Sequence, residues 1–258
     1  MNSRLRPKIL FAVAIAAALM AGSCPPGASA ASGVKAGEIP KILTLKGKKL
    51  TALKAVMAVS TVYNRGKSHQ EIRGFFMYRR PRDFRFQGIA AGGNSLFEMV
   101  LRAGKFQLYV PTDRTILKGG SECFRQKFPD VAELETLIPL ALLQWKRVRF
   151  VKRLVGKGED ITIEVELKGE TWRATLEETS LLLKRLERFR GNVVETTANF
   201  SDYGSGDYGW LPRRFDVKSS NGRWRSVVKI QKLQINPYLV EKNFKLEPAF
   251  STKTETCR

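Results

Sequence analysis

Apolar and polar residues alternate along most of the chain beyond residue 50, and this pattern predicts β-strands. In residues 161–167 isoleucine, valine and leucine alternate with threonine and glutamate, and residues 172–176 show a similar alternation. A period of two is typical of strands with one buried and one solvated face. Turn-forming clusters separate the runs. Asn221 and Gly222 predict a hairpin, because a type I′ turn needs two residues at positive φ. We expect a long antiparallel meander.

The last long strand predicts a bend. Its apolar residues have one parity over 224–230 and the other over 233–235, so the buried face switches near Gln231 and Lys232. A β-bulge would produce this switch and bend the strand, and such bends let open sheets curl toward barrels.

Two segments predict helices. Asp130 and Glu133 resemble a capping box, and the apolar residues that follow recur at helical spacing until Pro139 interrupts them. A second short helix is expected near residues 37–45. Because the first segment has predicted sheet on both sides, we expect it to plug the mouth or the open face of a curved sheet.

Two other runs are apolar at consecutive positions, residues 74–78 and 95–101. Strands of this kind are usually covered on both faces. Either helices cover the core, or one face of the sheet lines a hydrophobic cavity. Periodicity alone does not separate these alternatives.

The N-terminus has the three parts of a secretory signal. Arg4, Arg6 and Lys8 precede an apolar run over residues 9–20, and small residues and prolines follow it. A helix of this length spans roughly 18 Å, too short for a bilayer core of about 30 Å. We therefore expect export. Residues 1–23 are predicted to be a lipoprotein signal peptide, 24–37 a flexible tether and 38–258 a single domain.

Two cleavage sites compete. Residues 20–24 resemble a lipobox, in which Cys24 becomes the lipid-modified N-terminus, although Ala21 stands where Leu, Val or Ile is usual. Residues 28–30 fit the A-x-A rule, with release after Ala30. We favour Cys24, because it lies where the apolar run ends. Acylation there, detectable with palmitate, would hold the protein on a membrane, whereas release after Ala30 would give a soluble periplasmic protein.

The charge is strongly positive. There are 45 Lys and Arg against 24 Asp and Glu, a formal +21, and loss of three cations with the signal leaves +18. Export excludes nucleic acid as the partner. Anionic membrane lipids, lipopolysaccharide phosphates or acidic cell-wall polymer are the expected anions. Because the cations are spread through many segments, a diffusely basic surface is an equal alternative to a dedicated anion site.

Few residues offer catalytic or metal-binding chemistry. The single histidine, His69, lies in a polar stretch, where a solvent-facing turn is its expected setting. Residues 204–209 match G-x-G-x-x-G, but no helical pattern follows, so they predict a flexible hairpin loop with an aromatic tip. We expect no enzyme, no cofactor and no metal site. Cys123 and Cys257 either form a disulfide outside the cytoplasm or remain free thiols.

Three segments resemble the LolA/LolB superfamily of periplasmic lipoprotein carriers and outer-membrane lipoprotein receptors. Residues 74–86 have a G-apolar-x-apolar strand, a basic-Pro turn and a Phe-Arg-aromatic strand. Residues 103–111 look like the family's later Gly-Lys-apolar strand that ends at a proline. Residues 240–248 are similar to its closing strand, and the three segments occur in the family's order.

The resemblance implies a mainly β (α+β) fold: an incomplete antiparallel β-barrel with a few short helices as lid or plug, whose apolar cavity takes acyl chains of lipoproteins or phospholipids. In the carrier branch the arginine before the proline bonds to the lid, and Arg80 matches it. In the receptor branch an apolar residue in the following turn helps deliver cargo to the membrane, and Ile89 is the nearest match. The cavity-lining candidates are Phe76, Phe84, Phe86, Phe97, Met99, Phe106 and Leu108.

The chain departs from both branches in its greater length, its higher charge and its loop at 203–210. The expected function is that of a LolB-like lipoprotein, attached to the outer membrane, that binds acyl chains and assists lipoprotein or lipid transfer. The alternative is a structural or scaffold lipoprotein whose half-barrel is filled by its own side chains.

Overall fold

The computed structural model describes residues 34–63, 67–81, 83–90, 92–120, 122–123, 141, 143, 145–154, 160–167, 169–205, 208–209, 211–247 and 252–257. Both candidate cleavage sites and the predicted helix from Asp130 to Pro139 lie outside these residues.

The alternating runs form strands, as predicted, and all the strands of the described residues belong to one sheet. They are β1 (Ala52–Tyr63), β2 (Ser68–Arg79), β3 (Asp83–Ile89), β4 (Ser95–Arg102), β5 (Lys105–Val110), β6 (Thr115–Gly120), β7 (Arg149–Leu154), β8 (Asp160–Leu167), β9 (Glu170–Glu177), β10 (Leu183–Arg190), β11 (Val193–Tyr203), β12 (Pro212–Ser219), β13 (Trp224–Ile235) and β14 (Lys253–Thr256).

The strand order is β14-β6-β5-β4-β3-β2-β1-β13-β12-β11-β10-β9-β8-β7. Neighbours are antiparallel except β14, which pairs parallel to β6. The sheet is open, because β14 and β7 end it without pairing to each other. The predicted incomplete antiparallel barrel is therefore confirmed, with the parallel β14 as an unforeseen addition.

Helical structure in the described residues is short. Helix α1 (Ile39–Lys48) confirms the helix expected near residues 37–45. Pro40 lies in its first turn, where a backbone N–H would have no partner within the helix, so the proline costs no hydrogen bond. Single 3₁₀ turns occur at Ala36–Glu38, Pro111–Asp113, Trp145–Arg147 and Glu241–Phe244.

The predicted hairpin and bulge are both present. β12 and β13 pair antiparallel around residues 220–223, but Gly222 alone has positive φ there, at 68°, so the turn is not type I′. Instead the Asn221 Oδ1 accepts a hydrogen bond from the Arg223 N–H at 3.0 Å. In β13, Lys232 pairs with Val56 and Ile230 with Met57. Gln231 is the extra residue of a bulge, which switches the buried parity as expected.

The sheet has one core face, which carries most buried side chains, and one outer face. Helix α1 contributes Ile39 and Leu43 to the same core, both with no exposed surface. The prediction that residues 74–78 are covered on both faces is wrong, since Phe75 points outward with 39% of its surface exposed. In β4, by contrast, Val100 is buried on the outer face, where the turn Glu241–Phe244 contacts β3 and β4.

Candidate functional site: the core face of the open barrel

Strand register brings all seven cavity-lining candidates to the core face. Phe76 lies opposite Phe86, and Phe86 lies opposite Met99. Met99 in turn lies opposite Leu108. A second row places Phe84 and Phe106 on either side of Leu101, and Phe97 is opposite Gly88. Directly opposed residues in antiparallel strands share a face, so the candidates form one continuous apolar wall over β2–β5.

Two glycines make the wall dense. A Cβ on Gly74 would lie 2.4 Å from the Phe86 ring, and one on Gly88 would lie 2.3 Å from the Phe97 ring. The rings therefore occupy the space that side chains at these positions would fill. Their centroids are 5.6 Å apart with the rings tilted, an arrangement that aromatic pairs favour.

The wall is closely covered. Six of the seven candidates expose 2% of their surface or less, and the seventh, Phe84, is half-buried and stacks on Phe76 at 6.4 Å. Ile39 and Leu43 of helix α1 belong to the same buried cluster as Trp145, from the 3₁₀ turn before β7. The buried core thus includes helical and turn segments from outside the sheet. Helix α1 contacts the turn Trp145–Arg147, and its Lys46 Nζ donates to the Ser180 carbonyl at 2.8 Å.

The core face is polar at one end. Near the turn at 220–223, the hydroxyls of Thr61 and Ser226 are hydrogen-bonded at 2.7 Å, and Thr196 and Ser219 are buried on the adjoining strands. Trp172 lies elsewhere on the core face, on β9 with three strands between it and Ser226, and its buried indole N–H has no hydrogen-bond partner in the described part of the chain. The core face therefore carries buried hydroxyl groups at this end of β1 and β11–β13, and phenylalanines on β2–β5.

Arg80 lies in the turn between β2 and β3, half-buried, and its backbone N–H donates to the Thr51 carbonyl at 2.9 Å. The predicted lid after Asp130 is outside the described residues, so the gating role of Arg80 stays a prediction. Its neighbour Arg79, which the sequence did not single out, donates to Asp83 at 2.6 Å and to the Leu239 carbonyl at 3.3 Å.

Arg79 and Arg85 hold the C-terminal segment against the outer face of β2–β4. The Arg79 guanidinium lies 4.9 Å from the centre of the buried Phe244 ring, and Arg85 donates to the Asn243 carbonyl at 3.2 Å. Arg85 also forms an ion pair with Glu98. Burial raises the pKa of Glu98 above its ordinary value, and the positive charge of Arg85 opposes that shift.

Ile89 is the last residue of β3. It lies opposite Arg73 and is half-buried, one position before the turn that the resemblance assigned to membrane contact. Its contact with a membrane stays a prediction.

Cys123 and Cys257 are joined by a disulfide with their Cα atoms 5.9 Å apart. The Cys257 N–H donates to the Lys118 carbonyl at 2.8 Å, directly after β14. The structure therefore has the disulfide and not the free thiols. This bond links the end of β14 to the segment that follows β6, its neighbour in the sheet.

His69 is not in a turn, contrary to expectation, but in β2 on an exposed surface. Ser60 Oγ lies 2.9 Å and Glu71 Oε1 3.6 Å from its Nε2 atom. A triad needs the acid and the hydroxyl on different ring nitrogens, so this trio is not arranged for nucleophilic catalysis. Within the described residues no group of His, Cys, Asp or Glu could hold a metal ion, and no helix is long and apolar enough to cross a bilayer.

Several solved structures share this architecture. A LolA superfamily protein from Nitrosomonas europaea has a TM-score of 0.61 at 9% identity, over 80% of this chain and 97% of its own. An outer membrane lipoprotein-sorting protein domain from Vibrio parahaemolyticus has a TM-score of 0.61 at 14% identity, over 80% and 94%. A DUF1329 family protein from Desulfovibrio piger has a TM-score of 0.59 at 12% identity, over 82% and 98%.

No family model matches the sequence, and no curated protein matches it. The likeness is therefore one of fold, at identities too low to transfer a role. At that level the resemblance to the superfamily is confirmed. The closing strand predicted at residues 240–248 is wrong, because Glu241–Phe244 is a 3₁₀ turn and residues 240 and 245–247 belong to no strand. This chain has the open half-barrel fold of the LolA superfamily.

Proposed function

We propose that this chain is a lipid-anchored envelope protein that binds acyl chains on the core face of its half-barrel and assists lipid or lipoprotein transfer. The apolar wall over β2–β5 carries the proposal, because it is a continuous apolar surface on the core face of an open sheet. The fold that this chain shares with a lipoprotein-sorting protein domain also supports the proposal.

Burial of methylenes would supply the binding energy. A chain of fourteen methylenes gains roughly 11 kcal/mol, at about 0.8 kcal/mol each, when it is fully buried. Part of this gain offsets the immobilisation of the ligand and the displacement of side chains that pack on the wall.

The polar end of the core face suits an amphiphile. The methylenes would lie along the phenylalanines, and the carboxyl or ester group would lie toward the hydroxyls of Thr61 and Ser226 on the adjoining strands β1 and β13. The bond between these hydroxyls uses one of their two protons, so the other can donate to a ligand carbonyl.

Acylation at Cys24 would anchor the protein, with the outer membrane as the expected site, and the basic exterior would hold it to anionic head groups. Palmitate labelling of wild type but not of Cys24→Ala would support the anchor. Equal labelling of both proteins would remove Cys24 from this role and leave soluble periplasmic release after Ala30.

The close cover of the wall favours a second candidate, a scaffold lipoprotein whose core is filled by its own side chains. Titration of lipid-stripped protein with a fluorescent fatty acid separates the two. The carrier predicts saturable uptake of about one chain per protein, reduced by Thr61→Val, which removes a hydroxyl at similar shape, and unchanged by Phe75→Ala on the outer face. Uptake no greater than that of an unrelated protein would favour the scaffold.

A further inference from the structure

We propose that the outer face of β12, β13, β1 and β2 docks on an anionic lipid bilayer. The proposal rests on the attraction to anionic head groups suggested above and assigns it to one surface. It does not depend on acyl-chain uptake by the core face.

The surface is built by register. Arg214 lies opposite Lys229, Lys229 opposite Ala58 and Ala58 opposite Arg73, which places three cations in one row across four strands. In the next row Lys232 lies opposite Val56 and Val56 opposite Phe75. Lys54 lies opposite Met77 in the row after that. We call Lys54, Arg73, Arg214, Lys229 and Lys232 the basic patch.

The cations of the basic patch form no ion pairs within the described part of the protein. Arg85, Arg173 and Arg225, elsewhere on the sheet, each pair with an acid. By contrast, no carboxylate of the described residues forms an ion pair with any member of the patch. The nearest acid on β12, Asp216, is already bound by Arg225, whose Nε donates to it at 2.8 Å. Since like charges on opposed strand positions repel, the patch gains from an external anion.

The centre of the basic patch is apolar. Val56, Ala58 and Met77 are partly exposed between the cations, and Phe75 exposes 39% of its surface. An aromatic ring among cations suits a bilayer interface, where the ring enters the head-group region and the cations meet phosphates. A soluble polyanion would use the cations but gain little from Phe75, so the apolar centre favours a membrane.

Sedimentation with lipid vesicles tests the proposal. Full-length Cys24→Ala protein is used so that no acyl anchor contributes, with vesicles of phosphatidylcholine alone or with one quarter phosphatidylglycerol. We expect clear preference for the anionic vesicles. Replacing Lys229 and Lys232 by Gln should weaken binding roughly 25-fold, about fivefold for each lysine. The matched control replaces Lys105 and Lys146, two exposed lysines outside the patch, and should change binding less than about twofold.

The Phe75→Ser variant separates a membrane from a soluble polyanion. It should weaken binding to anionic vesicles and leave binding of inorganic polyphosphate unchanged. Equal losses in both lysine pairs would show a diffuse basic surface and overturn the proposal. No preference for phosphatidylglycerol, or no effect of Phe75→Ser on vesicle binding, would also overturn it.

The two proposals fail separately. Fatty-acid uptake by the Lys229→Gln/Lys232→Gln variant should equal that of wild type. Loss of uptake in wild type with docking intact would remove the carrier function alone, and loss of docking with uptake intact would remove the membrane surface alone.

Discussion

Adjacent phenylalanines on strand β2 face two different environments. Phe76 has no exposed surface and packs within the aromatic wall of the core face, whereas Phe75 exposes 39% of its surface among cations that form no ion pair in the described residues. The sequence around them is apolar at consecutive positions for two separate reasons. One face is covered by the protein itself, and the other is the surface that we propose meets lipid.

The largest expected difference between the faces is in stability. Phe76→Ala removes a fully buried ring, so the free energy of unfolding should fall by about 3–5 kcal/mol. Phe75→Ala removes a partly exposed ring and should cost less than about 1 kcal/mol. Urea denaturation of both variants measures this. Equal losses would mean that the outer face is as well packed as the core face.

The glycines give a second comparison. Gly88→Ala places a methyl group 2.3 Å from the Phe97 ring, so ring and strand must shift at a cost of about 1–3 kcal/mol. At Gly120 nothing lies within 4 Å of an added Cβ, and Gly120→Ala should change stability by less than about 0.5 kcal/mol. Thermal unfolding of the two variants measures this difference. An unchanged melting temperature in Gly88→Ala would contradict the close packing of the wall.

Paired and unpaired charges on the outer face should differ in their effect on stability. Glu164 on β8 accepts from Arg173 at 3.2 Å and lies 3.5 Å from Lys152, so Glu164→Gln should cost about 1 kcal/mol, since both cations are partly exposed. Lys229→Gln removes repulsion from Arg214 and should leave stability unchanged or slightly higher. A loss of stability in Lys229→Gln as large as that in Glu164→Gln would show that the basic patch has internal partners.

The smallest expected effect concerns pH. Because burial raises the pKa of Glu98 under the C-terminal segment, the folded state binds its proton more tightly than the unfolded state. Stability from this group is therefore present at low pH and is lost as pH rises from about 4.5 through the raised pKa. Relative to Glu98→Gln, wild type should lose stability between pH 4 and pH 7 in urea titrations. A difference that stays constant or grows with pH would contradict the burial of the carboxyl group.

Much of the fold follows from local pattern. Period two gives the strands, and the parity change near Gln231 gives the bulge, because both depend on residues close in sequence. The seven wall residues follow from the same alternation, since residues of one parity share a face. The resemblance at residues 74–86 adds the open barrel, which periodicity alone does not distinguish from other antiparallel sheets.

What sequence did not predict depends on contacts between distant residues. The parallel pairing of β14 with β6 and the cover that Phe244 gives to β3 and β4 have no periodic signal. The sequence also does not predict the exposure of Phe75. Apolar residues at both parities predict a strand that is buried on both faces, and only contacts with distant segments decide whether the second face is covered. The basic patch needs register, because Arg214, Lys229 and Arg73 are brought into one row from three separate strands.

The central claim, that acyl chains bind on the core face, is tested most directly by photo-crosslinking with a diazirine fatty acid. Labelled peptides would be identified by mass spectrometry, with unlabelled fatty acid as competitor and Phe75→Ser as the outer-face control. We predict that labelling saturates, that unlabelled fatty acid reduces it, and that it lies in peptides of β2–β5 that include Phe86 and Phe97. The Phe75→Ser variant should be labelled to the same extent as wild type. Labelling that does not saturate, or that is confined to outer-face residues, would contradict the claim.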